Sequence, residues 1–212
     1  MNFSKISYAT RFMVCVAFFC FNFSAPVLAS KTDFLTQYKS ELEAIENYLN
    51  GIKTLSAKFT QKSASGSVEG KFYLSRPGKM RVEYVDLPKI LIVVNDAVLT
   101  YQDLELDEIS NLGTNTTPAS FLTRPNISFW AKDVEVTKVV KRDDFITVSV
   151  IKKNRTEAGE FSLTFKTNPA LEFFKMEVKD DLGQATSVTL RNIAFDEKLS
   201  DSLFVIRNKN LP

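Results

Sequence analysis

Apolar residues recur at every second position along most of the chain after Gly51. This spacing is typical of a β-strand with one buried face, because successive side chains point to opposite sides of a strand. Turn signals such as Asn95-Asp96 and Asn168-Pro169 separate the alternating stretches, and connections are mostly short. The sequence therefore predicts about eleven strands in an antiparallel meander that closes toward a barrel. The predicted strands are 55–59, 68–75, 80–84, 90–94, 98–101, 134–140, 145–151, 161–166, 171–179, 185–193 and 203–206.

One amphipathic helix is predicted before the first strand. Its apolar stripe has helical spacing and comprises Phe34, Leu35, Tyr38, Leu42, Ile45, Leu49 and Ile52. Thr32 is a candidate N-cap, and Asn50-Gly51 is a stop signal. Such a stripe must be covered, and the periodicity leaves two alternatives open: ordinary core packing, or a lid over a cavity.

Residues 111–131, which we call the flap, interrupt the alternation. Thr117-Pro118 is typical of an N-cap followed by a proline in the first helical position, so a single helical turn is predicted over residues 119–122. The flap is rich in large apolar side chains, including Phe121 and Leu122, which is unusual for a solvated loop. We expect it to pack over the mouth of the barrel rather than to form a plain loop.

The first 29 residues are typical of a secretory signal peptide. Lys5 and Arg11 precede an apolar run from Phe12 to Phe23, and Val27-Leu28-Ala29 supplies small residues before a cleavage site at Ser30. The run is short for a membrane span, although a retained anchor is the alternative. We therefore expect residues 1–29 to be removed and residues 30–212 to form a single exported domain.

Composition excludes several functional classes. The sequence contains no histidine, and both cysteines, Cys15 and Cys20, lie in the predicted signal peptide. The exported chain then lacks Ser-His and Cys-His nucleophiles, the usual zinc and copper ligands, and disulfides. Lys and Arg number 27 against 25 Asp and Glu, and removal of Lys5 and Arg11 balances the charges. We therefore expect no metal, no cofactor and no nucleic-acid partner.

Two sets of acidic residues are weaker candidates for a site. The first is an alternating set, Asp103, Glu105, Asp107 and Glu108. An EF-hand beginning at its first member would need Gly and Glu where this chain has Glu108 and Thr114, so a solvated strand face is the better interpretation. The second set, Asp143-Asp144 and Asp180-Asp181, could act as paired acids in a hydrolase, but both pairs lie in predicted turns, where Asp bonds locally.

The most informative local pattern is a hairpin from Gly70 to Tyr84. One face of its first strand carries Phe72 and Leu74, and one face of its second carries Met80, Val82 and Tyr84. Arg76-Pro77-Gly78 forms the turn, because proline sets φ and glycine accepts a positive φ. By position alone, Arg76 is an arginine at the edge of a turn with at most a weak surface ion pair.

This hairpin, together with other motifs, resembles the outer-membrane lipoprotein carrier family, LolA. The motifs are, in order, Phe59-Thr60-Gln61-Lys62, Gly70-x-Phe72-x-Leu74-x-Arg76-Pro77-Gly78, Arg81-x-Glu83-Tyr84, Ile92-Val93-Val94-Asn95-Asp96, Thr117-Pro118 and Asp181-x-Gly183-Gln184. The resemblance covers nearly all of residues 30–212, and the missing lipid-anchor cysteine separates the chain from the receptor relative, LolB. It implies a mainly β fold with helices: an incomplete antiparallel β-barrel covered by an N-terminal helix and a short helical flap.

The resemblance also implies a function. Family members are periplasmic carriers without catalytic activity, which take acylated lipoproteins from an inner-membrane LolCDE-type ABC exporter and deliver them to a LolB-type outer-membrane receptor. The family arginine of the Arg-Pro turn holds the lid closed, and Arg76 matches it. Met80 and Val82 stand where the family often has Phe and Trp, so the cavity wall differs here. We expect a monomer. The alternatives are a lipoprotein-sensing or regulatory protein on the same fold, and a hydrolase that uses acidic residues.

An apolar interior shared by several elements is expected to receive the acyl chains. Its predicted lining is Met80, Val82, Tyr84, Leu42, Ile45, Leu49, Phe121 and Leu122, each on the apolar face of its element. Burial of a methylene group stabilises by about 0.8 kcal/mol, so several long acyl chains would cost tens of kcal/mol to expose to water. The sequence leaves open whether this interior is hollow or filled.

Overall fold

The computed structural model describes residues 35–86, 88–117, 119–153 and 159–206. The predicted signal peptide, the candidate cap Thr32 and the proline at 118 lie outside the described residues. Helix α1 (Lys39–Gly51) ends where the sequence predicts, and a short helix α2 (Ala119–Thr123) lies in the flap. Within the described ranges, the structure has no helix with the length and hydropathy that crossing a membrane requires.

Eleven strands form one antiparallel sheet, as predicted. They are β1 (Thr54–Ser63), β2 (Gly66–Ser75), β3 (Lys79–Tyr84), β4 (Ile90–Asn95), β5 (Val98–Asp103), β6 (Glu108–Gly113), β7 (Val134–Arg142), β8 (Phe145–Lys152), β9 (Glu160–Lys166), β10 (Glu172–Lys179) and β11 (Ala185–Phe195). Their order is β6-β5-β4-β3-β2-β1-β11-β10-β9-β8-β7. Since each neighbouring pair is antiparallel, the edge strands β6 and β7 run in the same direction. Closure would require one parallel pair among antiparallel ladders, and the sheet stays open. The prediction of an incomplete barrel is confirmed.

One predicted strand does not form, and one observed strand was not predicted. Residues 203–206 do not form a strand; Asp201–Phe204 form a 3-10 helix, capped by Ser200, which places Phe204 against Leu91 and Val93 on the outer face. Conversely, β6 was not predicted, because it is an edge strand with exposed side chains and shows no apolar alternation.

The acidic alternation is a turn rather than a strand face. The carboxylate of Asp103 accepts hydrogen bonds from the backbone N–H groups of Glu105 and Leu106, at 2.9 and 3.0 Å. Asp107 has a positive φ of 55° and leads into β6. These residues therefore build the β5–β6 turn, and among the described residues no cluster of His, Cys, Asp and Glu has the arrangement of a metal site.

The main core lies between one face of the sheet, which we call the inner face, and the two helices. Leu42, Ile45 and Leu49 of α1 are at most 2% exposed and pack in one cluster with side chains of the sheet and the flap. The flap contributes Ile127 and Phe129, each 1% exposed. Helix α1 and the flap therefore cover the inner face together, as a helical cover over an open sheet.

Gly70 in β2 is required by close packing. A Cβ atom at this position would collide with the ring of Phe59 and the carbonyl oxygen of Glu83. Phe59 is fully buried, and its ring contacts Tyr84 edge-on with 5.4 Å between centroids. We expect Gly70→Ala to lower the free energy of unfolding by about 1–3 kcal/mol, the usual cost of overpacking a core, as measured by urea unfolding.

Gly51→Ala is the matched control, since a Cβ at Gly51 meets no atom within 4 Å. Its unfolding free energy should stay within about 0.5 kcal/mol of the parent protein. Equal effects of the two substitutions would contradict the packing argument.

Candidate functional site: an apolar cavity and its latch

An apolar cavity of about 200 Å³ lies against the inner face of the sheet. Its wall includes Met80, Val82 and Tyr84 of β3, Leu122 of α2, Phe161 of β9 and Met176 of β10. These side chains come from both halves of the open sheet and from the flap. The arrangement can hold an apolar ligand out of water.

The β2–β3 hairpin places four wall residues, Phe72, Met80, Val82 and Tyr84, on one face. The register pairs Leu74 with Met80, Phe72 with Val82 and Gly70 with Tyr84, and paired residues share a face of the sheet. At the far end, the Tyr84 hydroxyl donates a hydrogen bond to the Gln61 side-chain oxygen at 2.6 Å, so its polar tip has a partner.

The other predicted lining residues lie elsewhere in the same core. Leu42, Ile45 and Leu49 are packed within the cover and are not part of the wall of this cavity. Phe121 lines a separate cavity of about 30 Å³ and contacts the rings of Phe129 and Phe161, at 5.7 and 6.3 Å between centroids.

Sequence reasoning missed wall residues on β2, β4, β5 and β11, namely Phe72, Ile92, Leu99 and Val188, and the contribution of β9 and β10. Their alternation predicted strands, but it does not tell which of two faces meets the cavity. Only the sheet order identifies Phe161 and Met176 as wall residues, because it places β9 and β10 on the opposite side of the cavity from β3.

Arg76 lies where the sheet, α1 and the flap meet. Its Nη1 donates to the carbonyl oxygen of Leu49, and its Nη2 donates to the carbonyls of Arg124 at 2.8 Å and Pro125 at 3.3 Å and to Asn50 Oδ1 at 3.1 Å. All four acceptors are neutral oxygens, and we call Arg76 with these four contacts the latch. Burial lowers the pKa of Arg76 from its ordinary value, yet an arginine side chain stays charged in a protein. A cation at the last turn of α1 also interacts favourably with the helix dipole.

Further hydrogen bonds fasten the flap. The backbone N–H of Gly78 donates to the Thr123 carbonyl at 2.8 Å, which adds a second tie at the β2–β3 turn. The Arg124 guanidinium pairs with Asp133 at 3.1 Å and lies over the ring of Phe121, 5.2 Å from its centroid. The flap therefore has a defined position over the inner face.

Tyr84 makes the folding stability of the protein depend on pH in the alkaline range. Burial is the main cause that raises the pKa of Tyr84 above its ordinary value of 10.0, and the hydrogen bond to Gln61 offsets part of this. The folded protein therefore keeps this proton where the unfolded chain loses it, and stability falls as the pH rises above about 10. We expect Tyr84→Phe to reduce that fall, measured as urea midpoints from about pH 9 to about pH 11. An unchanged slope would contradict burial of the hydroxyl.

Comparison with known proteins identifies the family. A sequence model of the outer membrane lipoprotein carrier protein LolA matches residues 50–207. The chain belongs to the LolA family. An outer-membrane lipoprotein carrier protein of Legionella pneumophila (strain Corby) is 27% identical over 177 residues, covering 78% of this chain and 85% of that protein. Another, from Methylococcus capsulatus, is 24% identical over 211 residues and covers 92% of each.

A solved structure supports the same fold. An uncharacterized conserved protein from Thermus thermophilus superimposes with a TM-score of 0.50 at 10% identity, over 82% of this chain and 96% of that chain. The part matched by the LolA sequence model begins at Asn50 and so contains the whole sheet, the Arg76 turn and the flap. The cavity, Arg76 and three of its four hydrogen-bond acceptors therefore lie within the matched region, whereas Leu49 and most of α1 precede it.

Proposed function

We propose that this protein carries acylated lipoproteins across the periplasm as a monomer. It receives them from an inner-membrane LolCDE-type ABC exporter, shields their acyl chains in its apolar interior, and delivers them to a LolB-type outer-membrane receptor. The observation that carries the proposal is an apolar cavity whose cover is latched by Arg76, the arginine that matches the LolA motif. The function is binding and transport, not catalysis.

The volume of the cavity bears on how cargo would be loaded. A cavity of about 150 Å³ in another protein accommodates benzene, so the 200 Å³ here suits a short alkyl segment. A lipoprotein anchor with several long acyl chains needs far more room. In this proposal, loading therefore displaces the cover formed by α1 and the flap.

The same cover accounts for release without an energy source. Leu42, Ile45 and Leu49 are withdrawn from water when the cover closes. Closing therefore restores apolar burial that competes with the bound acyl chains, and cargo is held without being trapped. This balance suits a carrier that must pass its cargo on.

The single tryptophan of the chain, Trp130, lies in the flap and is 43% exposed, so its fluorescence can report displacement of the flap. A diacylglyceryl-modified peptide should change the Trp130 emission with saturation, whereas the same peptide without acyl chains should not. Equal responses, or none, would contradict acyl-chain binding. Transfer of the bound peptide to receptor-containing vesicles distinguishes a carrier from a sensor on the same fold, which would keep it.

The exported form is proposed to be residues 30–212, a single carrier domain, with residues 1–29 removed as a signal peptide. The motive is the apolar run after Lys5 and Arg11, followed by small residues at the cleavage site. The mass of the protein isolated from the periplasm should correspond to a chain that begins at Ser30. A chain that begins at Met1 and remains in the membrane fraction would contradict the export step.

A further inference from the structure

We propose that Asn50 is a positioning residue. It joins α1 and the flap, the two parts of the cover, into one rigid lid and holds that lid against Arg76. The purpose of such a lid rests on the carrier function proposed above, but its mechanical behaviour does not. The proposal comes from a hydrogen-bond arrangement at the C-terminal end of α1.

The side chain of Asn50 pairs with both backbone groups of Ile127. Its Nδ2 donates to the Ile127 carbonyl oxygen at 2.9 Å, and its Oδ1 accepts from the Ile127 N–H at 2.8 Å. Ile127 is 1% exposed and lies in an irregular segment. Buried backbone groups need partners, and here one side-chain amide supplies the two bonds that a neighbouring strand would make.

Glu46 extends this contact along α1. It precedes Asn50 by four residues and therefore lies on the same side of the helix. Its carboxylate accepts a hydrogen bond from the backbone N–H of Phe129, another 1% exposed flap residue. Three hydrogen bonds and two buried side chains thus attach residues 127–129 to α1.

The same Asn50 oxygen also belongs to the latch. Arg76 Nη2 donates to Asn50 Oδ1 at 3.1 Å as well as to the carbonyl of Arg124. Loss of the arginine contacts removes four hydrogen bonds that hold α1 and the flap at the β2–β3 turn, while the Asn50 and Glu46 contacts remain. The lid then moves as one body, in the manner of a hinged domain. Single hydrogen bonds, from the Gly78 N–H to the Thr123 carbonyl and from the Phe173 N–H to Tyr48 Oη, must break during opening.

Spin-label distances test the rigid lid directly. Residues 30–212 contain no cysteine, so label pairs can be introduced at exposed Asn47 in α1, Asn126 in the flap and Lys71 in β2. In Arg76→Leu, the Asn47–Lys71 and Asn126–Lys71 distances should lengthen. The Asn47–Asn126 distance should stay as in the parent protein. Adding Asn50→Ala should broaden the Asn47–Asn126 distribution.

Separation of Asn47 from Asn126 in Arg76→Leu alone would overturn the inference, because the flap would then move without the helix. Distances that stay fixed in both variants would overturn it as well. These measurements use the empty protein. Failure of the acyl peptide to bind would therefore contradict the carrier function and leave the lid inference standing.

Amide hydrogen exchange distinguishes a local effect of Asn50 on the flap from general destabilisation of the protein. Asn50→Ala should speed exchange of the Ile127 amide about tenfold or more, while amides in the central strand β1 keep their rates. Alanine preserves α1 because it is the best helix former. The matched control is Asn47→Ala, an exposed asparagine on the same helix, which should leave the Ile127 rate unchanged. Faster exchange throughout the sheet, or an unchanged Ile127 rate, would contradict the positioning role.

Discussion

Replacing Arg76 with leucine is expected to shift the protein toward its open state by about ten- to a hundredfold while the sheet stays folded. A hydrogen bond to a charged group stabilises by about 1.5–3 kcal/mol, and the four acceptors of Arg76 all belong to α1 or the flap. Loss of one such bond is enough for this shift, since about 1.4 kcal/mol corresponds to a factor of ten. We expect cargo-loaded protein to accumulate, measured as the loaded fraction isolated from the periplasm.

Arg76→Lys is the matched control for this prediction. Lysine keeps the charge but presents it as a point, and it lacks the planar guanidinium that reaches several carbonyl oxygens at once. We expect a smaller shift than in Arg76→Leu. Loss of acyl binding with unchanged stability would instead make Arg76 a cargo contact. A decrease of about 2–5 kcal/mol in the free energy of unfolding, as on truncation of a core side chain, would indicate that Arg76 has a structural role.

A comparison of two alanine substitutions, at Leu74 and Met80, distinguishes a hollow interior from a filled one. Leu74 and Met80 stand opposite each other in the β2–β3 register, are 2% and 7% exposed, and share the inner face. Only Met80 of the two borders the cavity. We expect Leu74→Ala to lower the free energy of unfolding by about 2–5 kcal/mol. Met80→Ala should cost clearly less, because a side chain beside a void has fewer packing contacts to lose.

Urea unfolding of both variants should be paired with uptake of a fluorescent fatty acid. A small stability change and altered uptake in Met80→Ala would support a binding cavity. Equal losses of stability in the two variants, with no uptake by the parent protein, would show a plain core and contradict the carrier account.

Much of the fold was predictable because the signals are local. Alternation predicted ten of the strands, and Asn50-Gly51 marked the end of α1. The sequence failed where tertiary context decides: β6 has an exposed side-chain pattern and gains its ladder from β5, while Phe204 is buried as a single anchor on the outer face. The β6 segment shows no apolar alternation, and the short apolar run 203–206 has the composition of a strand although its first half forms a 3-10 helix.

The candidate site was predictable in part. The hairpin motif singled out Arg76, and one-sided alternation placed Met80, Val82 and Tyr84 together. Asn50 appeared in the sequence only as a helix stop signal, and nothing local indicates that its amide reaches Ile127, a residue 77 positions away. Contacts between distant segments depend on sheet order, which periodicity does not determine.

We propose that this LolA-family chain encloses lipoprotein acyl chains, and a mass measurement of its bound cargo is the decisive test. The protein should be isolated from the periplasm of cells depleted of the outer-membrane receptor, and the complex should be weighed intact. We expect bound acylated protein, in a larger fraction for Arg76→Leu than for the parent protein. Empty protein in both preparations, or bound protein without acyl chains, would contradict it.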